Sequence, residues 1–312
     1  MSAAGHNHSG RSAAAPGASD RGRSRLVTAL AISVFALVAE LVGAKISGSL
    51  ALLADAGHLL TDVAGLTVAV VAVTYATRPA PEARSYGNFR AEVLAAGINA
   101  LALLAISAWV LIEALRRLQH PPEVSAGPML VLGLVGLAAN AGALLVLRPA
   151  RSTSLNVRGA YLEVMGDLLG AAIVVGAAIV LATTGWKYAD IVASLGMVAF
   201  MAPRALFLLR DTAHVLFEGA PADVDVASVR TRLGAVPGVV GVHDLHIWTI
   251  TSGMPVLSAH VVADEAALAD TCGRSGILDR LCAIVSDDFD VEHSTFQLEP
   301  AGHIDHERGA HD

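Results

Sequence analysis

Between residues 26 and 209 the chain is a succession of long apolar runs, and no other feature constrains its fold as strongly. A helix that crosses a bilayer needs about 20 predominantly apolar residues. Six stretches meet that length: 26–46, 50–75, 89–115, 127–147, 157–183 and 188–209. The connections between them are short and carry glycine, proline and charge, as helix breaks should. Charged residues make up only 16% of the 312, against about a quarter in soluble domains. That shortfall lies almost wholly before Arg210.

An even number of spans puts both termini on one side. Arg78 and Arg84, Arg148 and Arg151, Arg210 and the arginines before residue 26 would share that side. The other side offers mainly Lys45, Arg116, Arg117 and Lys187. The positive-inside rule then makes both termini cytoplasmic, in a multi-pass protein of the cell membrane. Residues 1–25 are rich in Ala, Ser, Gly and Arg and read as disordered. The first apolar run carries Glu40 and lacks a clean small-residue cleavage site, so it reads as a spanning helix rather than a leader. A net charge of −7 with no basic stripe argues against nucleic acid. The two cysteines, Cys272 and Cys282, fall late and form no disulfide or metal framework.

After Arg210 the pattern becomes that of a soluble domain. Residues 223–236 read as an amphipathic helix, and Pro237-Gly238 as a turn. Two strands, 239–251 and 256–262, flank Ser252-Gly253-Met254; a helix over 265–286 and a strand over 291–298 follow. The expected organisation is a segment 1–25, a six-helix membrane domain 26–210, a small αββαβ domain 211–300, and a His-containing tail 301–312.

Two spans carry ionisable residues four apart. His58 and Asp62 share one face of the second span, and Glu163 and Asp167 one face of the fifth. If the faces meet, four donors converge, enough for a tetrahedral metal site. A charge at mid-bilayer costs about 2.5 to 3.5 kcal/mol on insertion scales. Neither of these two spans offers a Lys or Arg in its core, so the four groups need a partner, and a divalent cation supplies one. Gly57, Gly65, Gly166 and Gly170 would let the helices approach closely. Asp55 reads as one end of the pathway or a hydrogen-bond partner. Asn99 and Asn140 read as helix–helix hydrogen-bonding groups.

The run from Gly48 through Ala54-Asp55-Ala56-Gly57-His58 to Asp62 resembles the second-helix signature of the cation diffusion facilitator family. Further matches are Tyr86-Gly87 with Arg90-Ala91-Glu92, Glu113-Ala114 with Arg117 and Pro121-Pro122, and Gly166-Asp167. In the tail they are 242–248 and 292–299. The resemblance covers roughly residues 26–299. It implies a proton-coupled exporter of zinc and related metals, not an enzyme, that works as a homodimer with a metallochaperone-like cytoplasmic domain. It also implies that His243, His260 and His293 bind metal in that domain, with Cys272 near a further ligand position and His246 open to either role.

One departure stands out. Zinc-transporting members typically have His-x-x-x-Asp in the fifth helix, and here Glu163 holds the His position. Oxygen-rich sites suit harder ions better than imidazole-rich ones do, although Zn²⁺ also accepts carboxylates. Zinc is therefore the first expectation, with cobalt, iron, manganese and nickel as alternatives. The loop 77–86 offers only Glu82, so the family's second site is expected to be missing, and 148–155 lacks histidine. His6, His8, His303, His306 and His311 make small His-bearing ends that either bind metal weakly or are simply solvated. Besides an exporter, the ligands would suit a membrane-anchored metal sensor. An intramembrane metalloenzyme is disfavoured by the lack of an H-E-x-x-H helix or a separate general base.

Overall fold

A computed structural model describes residues 16–76, 85–150, 155–269 and 271–303. The loop around Glu82 and the histidines at 6, 8, 306 and 311 lie outside the described residues. The elements are α1 (Pro16–Ser47), α2 (Leu50–Ala76), α3 (Arg90–Gln119), α4 (Ala126–Leu147), a 3-10 turn (Arg148–Ala150), α5 (Leu155–Thr184), α6 (Ala189–Leu216) and α7 (Val226–Gly234). After these come β1 (Val239–Thr249), β2 (Pro255–Ala263), α8 (Glu265–Ala269), α9 (Thr271–Phe289) and β3 (His293–Glu299). Among the described residues, five helices are long and apolar enough to cross a membrane: 27–47 of α1, α3, α4, 158–184 of α5, and α6. α2, at 27 residues, is helical over the whole expected second span.

Two boundaries differ from the sequence reading. α1 begins at Pro16, so 16–25 are helical rather than disordered. Proline is well placed at a helix start, where the N–H it lacks would be unpaired anyway, and no later proline stops the helix before the apolar run. α6 continues past residue 210 to Leu216, through Pro203, so the expected domain boundary falls inside a helix.

By its packing the chain divides into two units: residues up to Thr67 with Asn99–Leu206, and Val68–Ile98 with the residues from Phe207 on. In the first unit α1 packs on α4 and α4 on α5, and small residues set the spacing. A Cβ on Gly43 would fall 2.9 Å from Leu132 Cβ, and one on Gly57 2.9 Å from Ile106 Cγ2. Close backbone approach of this kind is how membrane helices gain contact without a hydrophobic driving force between them. The start of α2 is fixed by Asp190 of α6. Its buried carboxylate accepts from Leu50 N at 2.9 Å, Ala51 N at 3.2 Å and Ser49 Oγ at 2.5 Å. Two of the unpaired N–H groups at the helix N-terminus are thus met by one side chain, with the favourable dipole sign.

In the second unit, β1 pairs antiparallel with β2, and β3 pairs parallel to β2, giving the order β1-β2-β3. One face of the sheet packs on Val229 and Leu233 of α7 and on Ile277, Leu281 and Val285 of α9. The helix expected over 265–286 is present as α8 and α9, with residue 270 outside the described set. Asp225 caps α7 by accepting from Ala227 N at 3.2 Å.

Candidate metal centres in the membrane helices and the sheet

His58 and Asp62 stand one turn apart on α2, and Asp167 reaches them from α5. The three offer donor atoms that all lie within 4.8 Å of one another. His58 Nδ1 is 3.5 Å from Asp62 Oδ2, and His58 Nε2 is 3.6 Å from Asp167 Oδ1. The imidazole therefore faces one carboxylate with each nitrogen. His58 and Asp167 are each only 3% exposed. Neither ring nitrogen, nor Asp62 Oδ2, nor Asp167 Oδ1 has a hydrogen-bond partner. Buried polar atoms are nearly always partnered in native folds, and leaving them bare is costly. Gathered, buried and bare donors of N and O type fit a divalent transition metal.

Glu163 precedes Asp167 by one turn of α5. It lines a cavity of about 30 Å³ together with Asp62 and Asp167 but is not one of the three clustered donors.

Sequence reasoning missed Arg204, because it followed only the two spans with ionisable residues four apart. Arg204 lies on α6, with its Cζ 5.5 Å from the centroid of the Phe200 ring. A Cβ on Gly166 would fall 2.9 Å from its Nη1. Its charge acts on His58, Asp62, Glu163 and Asp167. An arginine inside the sixth apolar run was the available signal.

A second acidic group lies deeper in the same unit. Glu40 of α1 and Asp55 of α2 are each 1% exposed. Glu40 Oε2 and both Asp55 carboxylate oxygens are unpartnered, as are both side-chain heteroatoms of Asn140. Glycines make room for them. A Cβ on Gly136 would meet Glu40 Oε1 at 2.5 Å, and one on Gly170 would meet Asp55 Oδ1 at 2.6 Å. Asn99 lies against Gly65 instead, its Nδ2 3.2 Å from where a Cβ would be.

The sheet carries a second candidate centre. His243, His260 and Glu299 offer donors within 4.8 Å of one another. His243 Nε2 is 2.5 Å from Glu299 Oε1, and His260 Nδ1 is 3.7 Å from Glu299 Oε2. Two imidazoles and a carboxylate suit Zn²⁺ with one position left over. Burial raises the Glu299 carboxyl, but hydrogen bonds from His243 and Gln297 and the charges of His243 and His260 outweigh it, leaving the group below its ordinary range.

A bulge makes this geometry. His243 is opposite His260 and His246 opposite Ser258, so β1 spends three steps where β2 spends two. Asp244 takes up the excess at φ 49°, a left-handed conformation that Asp tolerates better than most residues. Val242 and Leu245 can then both face the core, while His243 stays on the open face with His260.

His293 is not brought to this group. It opens β3, opposite Val256, while Glu299 closes it, opposite Val262. Six residues of strand separate them by roughly 20 Å. The ring of His293 meets Tyr86 edge-on at 5.8 Å. His246 is 3.2 Å from Asp244, and Cys272 is an exposed thiol outside both donor groups. Glu299 was the residue missed. Period-2 alternation from His293 puts it on the same face.

The family model of the cation efflux transmembrane domain matches residues 26–217, and that of the cation efflux protein cytoplasmic domain matches 221–301. The chain belongs to the cation diffusion facilitator family. Three relatives span nearly its whole length. The cation efflux system protein CzcD of Alcaligenes sp. (strain CT14) is 41% identical over 298 residues, covering 96% of this chain and 90% of the relative. A cadmium, cobalt and zinc/H(+)-K(+) antiporter of Bacillus velezensis is 36% identical over 300 residues, covering 96% and 92%. Zinc transporter ZitB of Escherichia coli is 36% identical over 296 residues, covering 94% and 92%. This cation diffusion facilitator is therefore a helical membrane protein with a C-terminal cytoplasmic domain built on a small sheet, in a family of transporters rather than enzymes.

Proposed function

We propose that the chain exports a divalent transition metal, zinc first, from the cytoplasm in exchange for protons. The observation that carries this reading is the buried, unpartnered donor set of His58, Asp62 and Asp167 on two facing helices. Glu163 stands beside this set and lines the same cavity. The names of the relatives above, metal efflux proteins and antiporters, support the same class. With α2 counted as a span, the membrane domain has six, both termini are cytoplasmic, and the protein sits in the cell membrane as a homodimer.

The coupling follows from the donors. Carboxylates and imidazole bind metal only when deprotonated, so protons and metal compete for one set of atoms. Metal entering from the cytoplasm displaces protons, the helices reopen outward, and protons from outside displace the metal. Alternating exposure is needed because an ion can shift an equilibrium only by its different affinity for the two forms. In the cytoplasmic domain, His243 and His260 with Glu299 would hold a regulatory metal.

The test is flux in proteoliposomes carrying a pH gradient, with zinc, cobalt, iron, manganese and nickel compared. Zinc flux that rises with the proton gradient is the expected result. Binding without flux of any of these metals would leave a membrane-anchored metal sensor instead.

A further inference from the structure

The site on α2 and α5 does not balance with one divalent ion. With His58 neutral, ionised Asp62, Glu163 and Asp167 carry three negative charges, and a doubly charged ion leaves one uncompensated. An unpaired charge inside the bilayer is strongly unfavourable. Glu163 is the member set apart, since the other three form the donor cluster without it.

Arg204 carries the missing charge. Its guanidinium lies against α5 at Gly166, between Glu163 and Asp167 in the sequence, where the absence of a Cβ leaves it room. Stacking on Phe200, one turn earlier on α6, holds it there. Its charge acts on all four residues. A guanidinium is always charged and matches a carboxylate edge to edge, so it competes with a metal for any free carboxylate.

We propose that Glu163 serves as the counterion of Arg204 rather than as a ligand of the transported ion, and that it tunes metal affinity by keeping the guanidinium off Asp62 and Asp167. Glu163 is in this sense a positioning residue. The inference rests on the transport site proposed above. Its consequence is that Glu163 matters only because Arg204 is present.

The experiment measures the half-saturating zinc concentration for flux in proteoliposomes of the full chain. Glu163→Gln alone is expected to raise it about tenfold or more, a coupling within the range of residues in one charge network. In an Arg204→Gln background the same change should matter less than about threefold. Arg204→Lys keeps the charge and should preserve the large effect. If Arg204→Gln does not insert stably, the charge swap Glu163→Arg with Arg204→Glu takes its place and should restore flux that Glu163→Arg alone loses. Equal loss from Glu163→Gln with and without the guanidinium, or no recovery in the swap, overturns the inference. Asp62→Ala separates the two levels: if it transports like the wild type, the site itself is wrong. If it fails while the Glu163 effects are equal, only the pairing is wrong.

Discussion

The two donor groups of this protein use similar side chains in opposite physical settings. In the membrane helices, His58 and Asp167 are buried and Asp62 is half-buried, and four of their facing atoms lack hydrogen bonds. On the sheet, Glu299 is buried too, at 2% exposed, but its carboxylate already accepts from His243 and Gln297. The first group is carboxylate-rich and poorly satisfied by the protein alone, so a cation or protons must complete it. The second is imidazole-rich and its carboxylate is already satisfied by the protein, so a metal there would replace the contacts of Glu299 instead of rescuing it. A group that the chain cannot satisfy suits an ion in transit, since either occupant relieves it. A group that is stable without metal suits a sensor of concentration.

The largest expected effect separates these roles. Asp62→Ala or Asp167→Ala should abolish zinc flux in proteoliposomes, while helix content by circular dichroism and membrane insertion stay at the wild-type level. Next in size, His260→Ala removes a direct ligand and should weaken metal binding at the sheet by at least the roughly 10- to 100-fold lost when only a ligand's supporting residue is disturbed. Flux at saturating zinc should fall far less than it does in Asp62→Ala. Comparable collapse in both variants would erase the distinction between the groups.

A third prediction concerns packing, which is tight at Gly170 beside a buried acid and open at Gly142. Gly170→Ala places a Cβ 2.6 Å from Asp55 Oδ1 and 3.1 Å from Met197 Cε. It should cost about 1 to 3 kcal/mol in thermal unfolding in detergent. Gly142→Ala, whose Cβ would meet nothing within 4 Å, should instead stabilise α4 by up to about 1 kcal/mol. Equal melting of the two variants would show that the helices around Asp55 give way easily.

The smallest effect is a pH limb from Glu299. Its carboxyl lies below the ordinary value of 4.5 in the folded chain. A depressed carboxyl adds stability above its unfolded value, and that contribution is lost as pH falls through the folded value. Melting of the metal-free full chain should therefore show a loss of stability below about pH 4.5 in the wild type that is reduced in Glu299→Gln. The same acid limb in both would assign it to other carboxylates.

Helix geometry explains why the membrane group was legible in the sequence. Four residues make one turn, so His58 with Asp62, and Glu163 with Asp167, can be paired by counting alone. What counting cannot supply is which side chains close the cluster. That depends on how α5 and α6 pack on α2, and it left Glu163 outside the clustered donors and Arg204 unnoticed. The strands of the cytoplasmic domain were likewise legible from alternation and from the turn at Gly253. Its metal group was only half legible, because register decides it. The bulge at Asp244 sets His243 beside His260, and the parallel pairing of β3 sets Glu299 two residues past Gln297, the partner of His260, and carries His293 away. Neither a bulge nor a parallel register has a local sequence signature of comparable strength.

The central claim is that the ion crosses at the helical group and is only sensed at the sheet. Zinc flux into proteoliposomes for His58→Ala beside His243→Ala, at matched protein density and one pH gradient, tests it most directly. The account predicts that His58→Ala falls to the leak of protein-free vesicles, while His243→Ala retains measurable, gradient-driven flux. Wild-type flux from His58→Ala, with loss from His243→Ala, would contradict it.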